Sequence, residues 1–419
     1  MQTIEGFDFF PLVFDKDGKL ESKDAFEGFT GHAADGPATD AIFIAHGFRN
    51  DVGEASALYA DFLENLRVHL GRPEFRGVAS RRFVVAGIYW PSKAFRETFD
   101  DARERTRGLH DPTLALADAK QQLEELKMDA TPAQRRSLDK AAALLPKLDG
   151  NADAQDKFVE LVLSVLSRSK LDQTEGLPQV RKRRGSELLA RLEPARRDGT
   201  RGFVGSIAGK VGQFLNLTTW YVMKERSGTV GEKGVAPAVR ALRKAAPEIR
   251  VHLVGHSLGG RLMAATAKAL GVRPRLQPDS LTLLEAAFSH YGFSSDNGRG
   301  TPGFFRDVID KKIVKGPLVS TFSAEDTVVG KAYSISSRLS GDNSRGIGDA
   351  NDEFGGIGRN GALKTAEVSH SPLHTPGTAY HYALGVINNL DGSGGLIKSH
   401  GDVTNPAVTY AFASALART

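Results

Sequence analysis

Between Val251 and Leu270 the chain reads VHLVGHSLGGRLMAATAKAL. Ser257 is its chemical centre, with Gly255 two residues before it and Gly259 and Gly260 following. Val251, Leu253 and Val254 favour strand, and the Ala, Leu, Met and Lys residues from Arg261 to Leu270 favour helix. The reading is strand, very sharp turn, helix. Such a turn holds its central residue in strained backbone, and Cβ atoms at 255 or 259 would strike the neighbouring strand and helix. The serine hydroxyl then stands at the carboxyl edge of a sheet, over a helix N-terminus whose dipole favours developing negative charge. A tight turn without chemistry would use the same glycines, so the partners of Ser257 decide its meaning.

Serine is a poor nucleophile until a base takes its proton. The pattern therefore demands a histidine oriented by a carboxylate, both at strand ends later in the chain. VSTFSAEDTVV ends a buried strand with Glu325 and Asp326. Asp326 is the first choice because Thr327, Val328 and Val329 return to apolar packing after it, with Glu325 second. For the base, His400 lies in Ser399-His400-Gly401-Asp402, after the last expected strand and before the terminal helix, where it can reach back over the sheet edge. His374 ranks next. His370 and His381 fall before or within that strand, His252 and His290 read as structural or surface groups, and His256 points away from the serine. The oxyanion formed on attack needs donors already in place. One is the backbone N–H of Leu258. The other falls in Ala45-His46-Gly47-Phe48, at the N–H of Phe48 or of Arg49, with His46 holding the loop.

These residues need a sheet to position them. DAIFIAHGF (Asp40 to Phe48), RRFVVAGIYWPS, EIRVHLVGHS, PDSLTLLEAAFSH, KGPLVSTFSAED and HYALGVINNLD each carry a strand, and helix-like stretches separate several of them. Near-continuous apolar strands alternating with helices predict a mostly parallel sheet covered on both faces. The start, TIEGFDFFPLVFDKDGKL, predicts leading antiparallel strands, with Asp17-Gly18 as a hairpin turn. From Ser92 to about Arg201 the character changes to charged, helical sequence. Thr131-Pro132-Ala133-Gln134 is a helix start, Asn151 caps a second helix, and Phe158, Leu161, Val162, Val165 and Leu166 share a face. The expected division is a core of residues 1–91 and 202–419 and a helical insertion of residues 92–201, a cap or lid. A Gly-rich loop from about Gly341 to Gly361 contains Gly356-Ile357-Gly358-Arg359-Asn360-Gly361, a GxGxxG match. No buried strand precedes it and no βαβ unit surrounds it. It reads as a mobile loop near the acid and base, not as a dinucleotide site.

Strand-HGF, strand-GIYWPS, strand-GHSLGG-helix, a strand-ending Asp and a late His together resemble the α/β-hydrolase superfamily in its esterase/lipase-like branch. The resemblance spans roughly Asp40 to Trp90 and Gly202 to Thr419. It implies an α/β-hydrolase fold with a large helical insertion. It also implies Ser257 as nucleophile, Asp326 as orienting acid, His400 as general acid/base, and no metal or organic cofactor. The insertion after Trp90 is longer than most in that family. The implied activity is hydrolysis of carboxylic esters through an acyl-enzyme, with esterase, lipase, thioesterase and peptidase all open. The substrate is a small-molecule or lipid ester.

Composition adds boundaries. The chain has 419 residues and no Cys, which excludes disulfides and cysteine nucleophiles. The net charge of +5 permits anionic partners without demanding them. No signal peptide and no run of membrane-spanning length is seen, which predicts a soluble, cytoplasmic protein. A second reading comes from the basic run beginning Arg181, Lys182, Arg183, Arg184: an interaction or membrane-surface scaffold that meets anionic lipid. No aromatic interleaving or base-reading motif accompanies the run, which argues against nucleic acid.

Overall fold

The computed structural model describes residues 2–48, 50–78, 80–92, 112–128, 130–167, 175–192, 207–340 and 349–419. The chain forms two compact units. The first comprises Met1–Ser92, Arg226–Gly330 and Gly355–Thr419, and the second Lys93–Glu225 and Lys331–Phe354.

The first unit is built on nine strands: β1 (Gln2–Ile4), β2 (Phe7–Val13), β3 (Asp40–Ala45), β4 (Phe83–Tyr89), β5 (Arg250–His256), β6 (Ser280–Leu284), β7 (Leu318–Phe322), β8 (Val368–Pro372) and β9 (Ile387–Asp391). They join in one sheet of order β1-β2-β4-β3-β5-β6-β7-β9-β8. β1 and β2 pair antiparallel and every other neighbouring pair is parallel. The central strands are apolar on both faces because helices cover both. Ile42, Ile44, Val254 and Val319 face a core that includes Tyr59, Phe62, Phe412 and Leu416, from the helices Val52–Leu70 and Pro406–Ala417. Phe43 points the other way and meets Phe29 of the helix Lys23–Asp35 edge-on, at 5.6 Å between ring centres.

The helix after β5, Leu258–Leu270, is buried along most of its length. A helix that begins at Ile207 runs to Val230, passes through a π-helical turn at Gly231–Val235 and continues as Ala236–Ala245. That π turn lies directly on the helix Leu258–Leu270: a Cβ on Gly231 would sit 2.2 Å from the carbonyl oxygen of Leu262. Arg240 caps the far end, donating to the carbonyls of Ala269 and Val272 at 2.9 Å each.

Several expectations change at the edges. A hairpin joins β1 to β2 at Glu5-Gly6, both left-handed (φ 50° and 82°), in addition to the expected turn at Asp17-Gly18 (Gly18 φ 84°). Asp17-Gly18 closes a short antiparallel return, bridged at Phe14 and Leu20 and bonded from the Asp15 amide to the Lys19 carbonyl and from the Glu21 amide to the Val13 carbonyl, with the Asp15 carboxylate accepting from the amides of Asp17 and Lys19. The last strand in the chain starts at Ile387, not near His381, because Gly385 (φ 75°) breaks the extended run. Beyond it lies β8, an edge strand missed because its exposed residues, Ser369, His370 and Pro372, carry no apolar alternation.

The second unit is helical among its described residues. Pro112–Met128, Pro132–Leu144, Ala152–Leu163 and Gly185–Arg191 are helices. The Thr131–Gln134 capping box forms in both directions, and the Asn151 side chain accepts from the amide of Ala154. Phe158 and Val162 are buried on the expected face, while Val165 and Leu166 follow the helix end at Leu163. This unit reaches Glu225 instead of stopping at Arg201, because the helix from Ile207 runs on past the change in composition. It also takes in residues 331–354, which no composition shift marks.

Of the basic run, Arg181 donates to the carbonyls of Leu163, Leu166 and Ser167 at the end of the helix Ala152–Leu163. Arg184 binds Asp156 through Nε and Nη2, at 2.9 and 2.7 Å. Lys182 is exposed and Arg183 half-buried. The run beyond Leu192, the start of the insertion at residues 93–111 and the Gly-rich segment 341–348 lie outside the described residues. Among the described residues, no helix is long and apolar enough to cross a membrane.

Candidate active site

Ser257 joins β5 to the helix Leu258–Leu270 with φ 56° and ψ −123°, a conformation that side chains rarely adopt. Its surroundings over-determine this geometry. The Ser257 amide donates to the carbonyl of Leu284, and its carbonyl accepts from the amides of Ala287 and Gly260, each at 3.0 Å. A Cβ on Gly255 would lie 2.3 Å from the carbonyl oxygen of Gly259. A Cβ on Gly259 would lie 2.4 Å from those of Ala45 and His46, and one on Gly260 would lie 2.6 Å from the Ala286 Cβ. Gly255 and Gly259 are therefore required by close backbone approach and Gly260 by the Ala286 side chain, and together they hold the serine at the carboxyl end of β5.

His400 arrives from the loop after β9. Its Nε2 stands 2.8 Å from Ser257 Oγ and its Nδ1 2.8 Å from Asp326 Oδ2. Asp326 is fully buried and has two tasks. Its Oδ1 accepts from the amide of Val329 at 2.9 Å, in the first turn of the helix Thr327–Ser340, and this turns Oδ2 toward His400. Glu325 does not join them. Its carboxylate takes bonds from the Ser323 hydroxyl and the Gly394 amide, which hold it below the usual carboxylate range. His374 packs on Tyr380 in a separate loop, His370 lies on the edge strand β8, and His381 is exposed.

Two further histidines weighed against His400 are occupied elsewhere. His252 sits at the amino end of β5, bound to Asp40 and Ser280. Burial depresses its basicity, against the opposing pull of Asp40. Asp40 itself is raised by burial, but its bonds to Arg81, His252 and Thr39 outweigh this and hold it well below the usual range. His290 is buried against Asn360.

The His46–Phe48 loop rests on the serine. A Cβ on Gly47 would lie 2.8 Å from the Ser257 Cβ. His46 is clamped from all sides. Its amide donates to the Tyr59 hydroxyl, its ring stacks on Trp90, and its carbonyl accepts from Trp90 Nε1. Its Nδ1 faces the Gly47 carbonyl at 2.9 Å and its Nε2 faces the Trp90 amide. Those partners select the neutral tautomer with the proton on Nδ1. Burial lowers the pKa to about 4, although the Gly47 bond opposes it. Phe48 follows in a turn and is half-buried, whereas Arg49 lies outside the described residues.

Three features were not legible as site elements. Gly356–Gly361 is an ordered bracket rather than a mobile loop. Its helix Ile357–Asn360 presents the Gly358 carbonyl to the Ser323 amide, and Arg359 donates to the carbonyls of Ala324 and Asp326. Gly358 must be glycine, because a Cβ there would lie 2.3 Å from the Glu285 backbone. The GxGxxG spacing was the available signal, but it belongs to packing on the acid loop. Glu285, directly after β6, is the second feature. It is fully buried at φ 38° and accepts one bond at Oε1 from the Thr321 hydroxyl. Burial raises its pKa well above the ordinary value; the Thr321 bond opposes, and the charges of Asp326 and Asp402 add to the rise. The third is His256, whose Nε2 lies 2.8 Å from the His400 carbonyl oxygen.

The arrangement can pass a proton from a serine hydroxyl to an imidazole and hold the resulting imidazolium against a buried carboxylate. Compared with protein-family models, with curated proteins and with solved structures, the chain matches none.

Proposed function

We propose that the first unit is a serine hydrolase of the α/β-hydrolase fold that cleaves carboxylic esters through an acyl-enzyme. The observation that carries this reading is the hydrogen-bond chain from Ser257 Oγ through His400 to Asp326, 2.8 Å at each link. Its members come from the carboxyl ends of β5, β7 and β9, in the chain order Ser, Asp, His that the fold uses.

In this mechanism His400 Nε2 takes the Ser257 proton as Oγ attacks the ester carbonyl carbon. The oxyanion is received by the N–H groups of Leu258 and Phe48. The C–O bond to the alcohol breaks, His400 returns the proton to the departing oxygen, and an acyl-Ser257 ester is left. Water, deprotonated by His400, attacks that ester; the Oγ–acyl bond breaks, Ser257 regains a proton, and the acid leaves. Asp326, bonded to His400 Nδ1, balances the imidazolium. No bound cofactor takes part in any step. The substrate class is a small-molecule or lipid ester.

The test is hydrolysis of p-nitrophenyl esters over a series of acyl lengths by wild type and Ser257→Ala. Loss of turnover in the variant supports the reading, and the preferred acyl length separates a small-ester site from a lipase-like one. Wild type inert toward every ester, or Ser257→Ala as active as wild type, would refute it.

A further inference from the structure

We propose that His256 is a positioning residue for His400, its Nε2–H gripping the His400 backbone carbonyl and so fixing the imidazole over Ser257. This rests on the reading of Ser257 as the nucleophile. His400 sits in an irregular loop between β9 and the terminal helix. Both of its ring nitrogens are committed, to Ser257 and to Asp326. Its ring can hold both links at 2.8 Å only if the backbone that carries it stays in place. Around it the loop is tied by the Asp402 amide to the Ser399 carbonyl, and by Asn405 to the carbonyls of Leu396 and Asp402. Gly401, the next residue, has open space where a side chain would stand. The His400 carbonyl itself is held by His256 at 2.8 Å.

The histidine suits this task in three ways. It is the residue before the nucleophile, so the same rigid strand end that places Ser257 also places the donor. Its ring lies against the His400 ring, 4.7 Å between centres. Its proton is assigned: Nε2 must carry it to donate, while Nδ1 is buried against Gly47 with no hydrogen-bond partner among the described residues. Burial lowers its basicity well below the ordinary value and the neighbouring His400 adds to this, against the bond to the His400 carbonyl. It therefore stays neutral beside the imidazolium that forms on His400 in each turnover, and does not repel it.

The experiment compares kcat and KM on the best p-nitrophenyl ester for wild type, Ser257→Ala, His256→Phe, His256→Gln and His256→Asn, with thermal unfolding of each. Gln carries an N–H donor at the reach of His Nε2, Asn stops at the reach of Nδ1, and Phe fills the volume without a donor. Loss of one buried bond at the base predicts a fall in kcat of about tenfold or more for Phe and Asn, with Gln close to wild type. KM should change by less than about twofold, since substrate is not touched. If Phe does not fold, the Gln–Asn pair carries the test alone. Gln no better than Asn, or Phe equal to wild type, overturns the inference while Ser257→Ala remains inactive. An inert wild type or an active Ser257→Ala overturns the proposed function instead, and this inference with it.

Discussion

Glu285→Gln isolates the cost of keeping a proton on a buried carboxyl. In the native state burial, with the charges of Asp326 and Asp402 adding to it, holds the Glu285 pKa well above its ordinary value. In the unfolded chain the group ionises above its ordinary value of 4.5. The native state thus binds the extra proton, and native stability falls as pH rises from there until the native carboxyl itself ionises. One proton of difference changes the unfolding equilibrium constant by about tenfold per pH unit, roughly 3 kcal/mol over two units. Glutamine has the same shape, can accept the Thr321 bond at Oε1, and carries no titrating proton. Its second N–H adds a constant offset, so the pH slope of the difference, and not its absolute size, is the diagnostic quantity. The assay is urea unfolding at pH 5, 6 and 7 in a Trp220→Phe background. The chain has two tryptophans, so this leaves Trp90 as the fluorescent reporter of the first unit. Titrations shared by both proteins cancel in the difference. The stability of Glu285→Gln relative to the parent should climb steadily with pH. A difference that is flat from pH 5 to pH 7 would sink the argument, for it would mean that Glu285 is ionised in the native state or reached by solvent.

Gly259→Ala should destabilise the first unit by about 3 kcal/mol or more, since its Cβ meets two carbonyl oxygens at 2.4 Å. Gly31→Ala, in a helix with open space around it, should instead gain about 0.5–1 kcal/mol; thermal melts of the two read the contrast. Asp326→Asn keeps an oxygen for the Val329 amide but turns an amide donor toward His400 Nδ1, favouring the wrong tautomer. Ester turnover should fall about 10³–10⁴-fold with little change in melting temperature. Four buried histidines, His46, His69, His252 and His256, have depressed basicity, so the unfolded chain binds protons that the native state refuses. Stability should therefore fall as pH drops below the ordinary 6.5, with the His46 share complete near pH 4. Urea midpoints in the Glu285→Gln background, where the opposing proton is gone, measure it; midpoints constant from pH 7 to pH 4 would contradict it.

How far the sequence carried depended on whether a feature was local. β3, β4 and β5 were legible because a strand covered on both faces must be apolar throughout, and Ile42, Phe43, Ile44 and Val84, Val85, Ala86 are. β8 was not, because an edge strand with exposed Ser369 and His370 needs no such pattern. The turn at Ser257 was legible because close backbone approach on both sides leaves only glycine, a constraint written within six residues.

By itself, then, the sequence determined the strand–helix alternation, the sharp serine turn and the residue types available to serve it, since each follows from propensity and sterics between near neighbours. Only the tertiary structure decided between Glu325 and Asp326, adjacent carboxylates turned in different directions, Asp326 by the helix cap and Glu325 by the Ser323 hydroxyl and Gly394 amide. It also decided that burial drives the Glu285 pKa up, that Arg359 and Gly358 brace the acid loop, and that His256 holds the carbonyl of a residue 144 positions away. Desolvation and hydrogen-bond partnership belong to the whole packed unit. They arise when β5, β6, β7 and β9 come side by side, and no run of neighbouring residues encodes them.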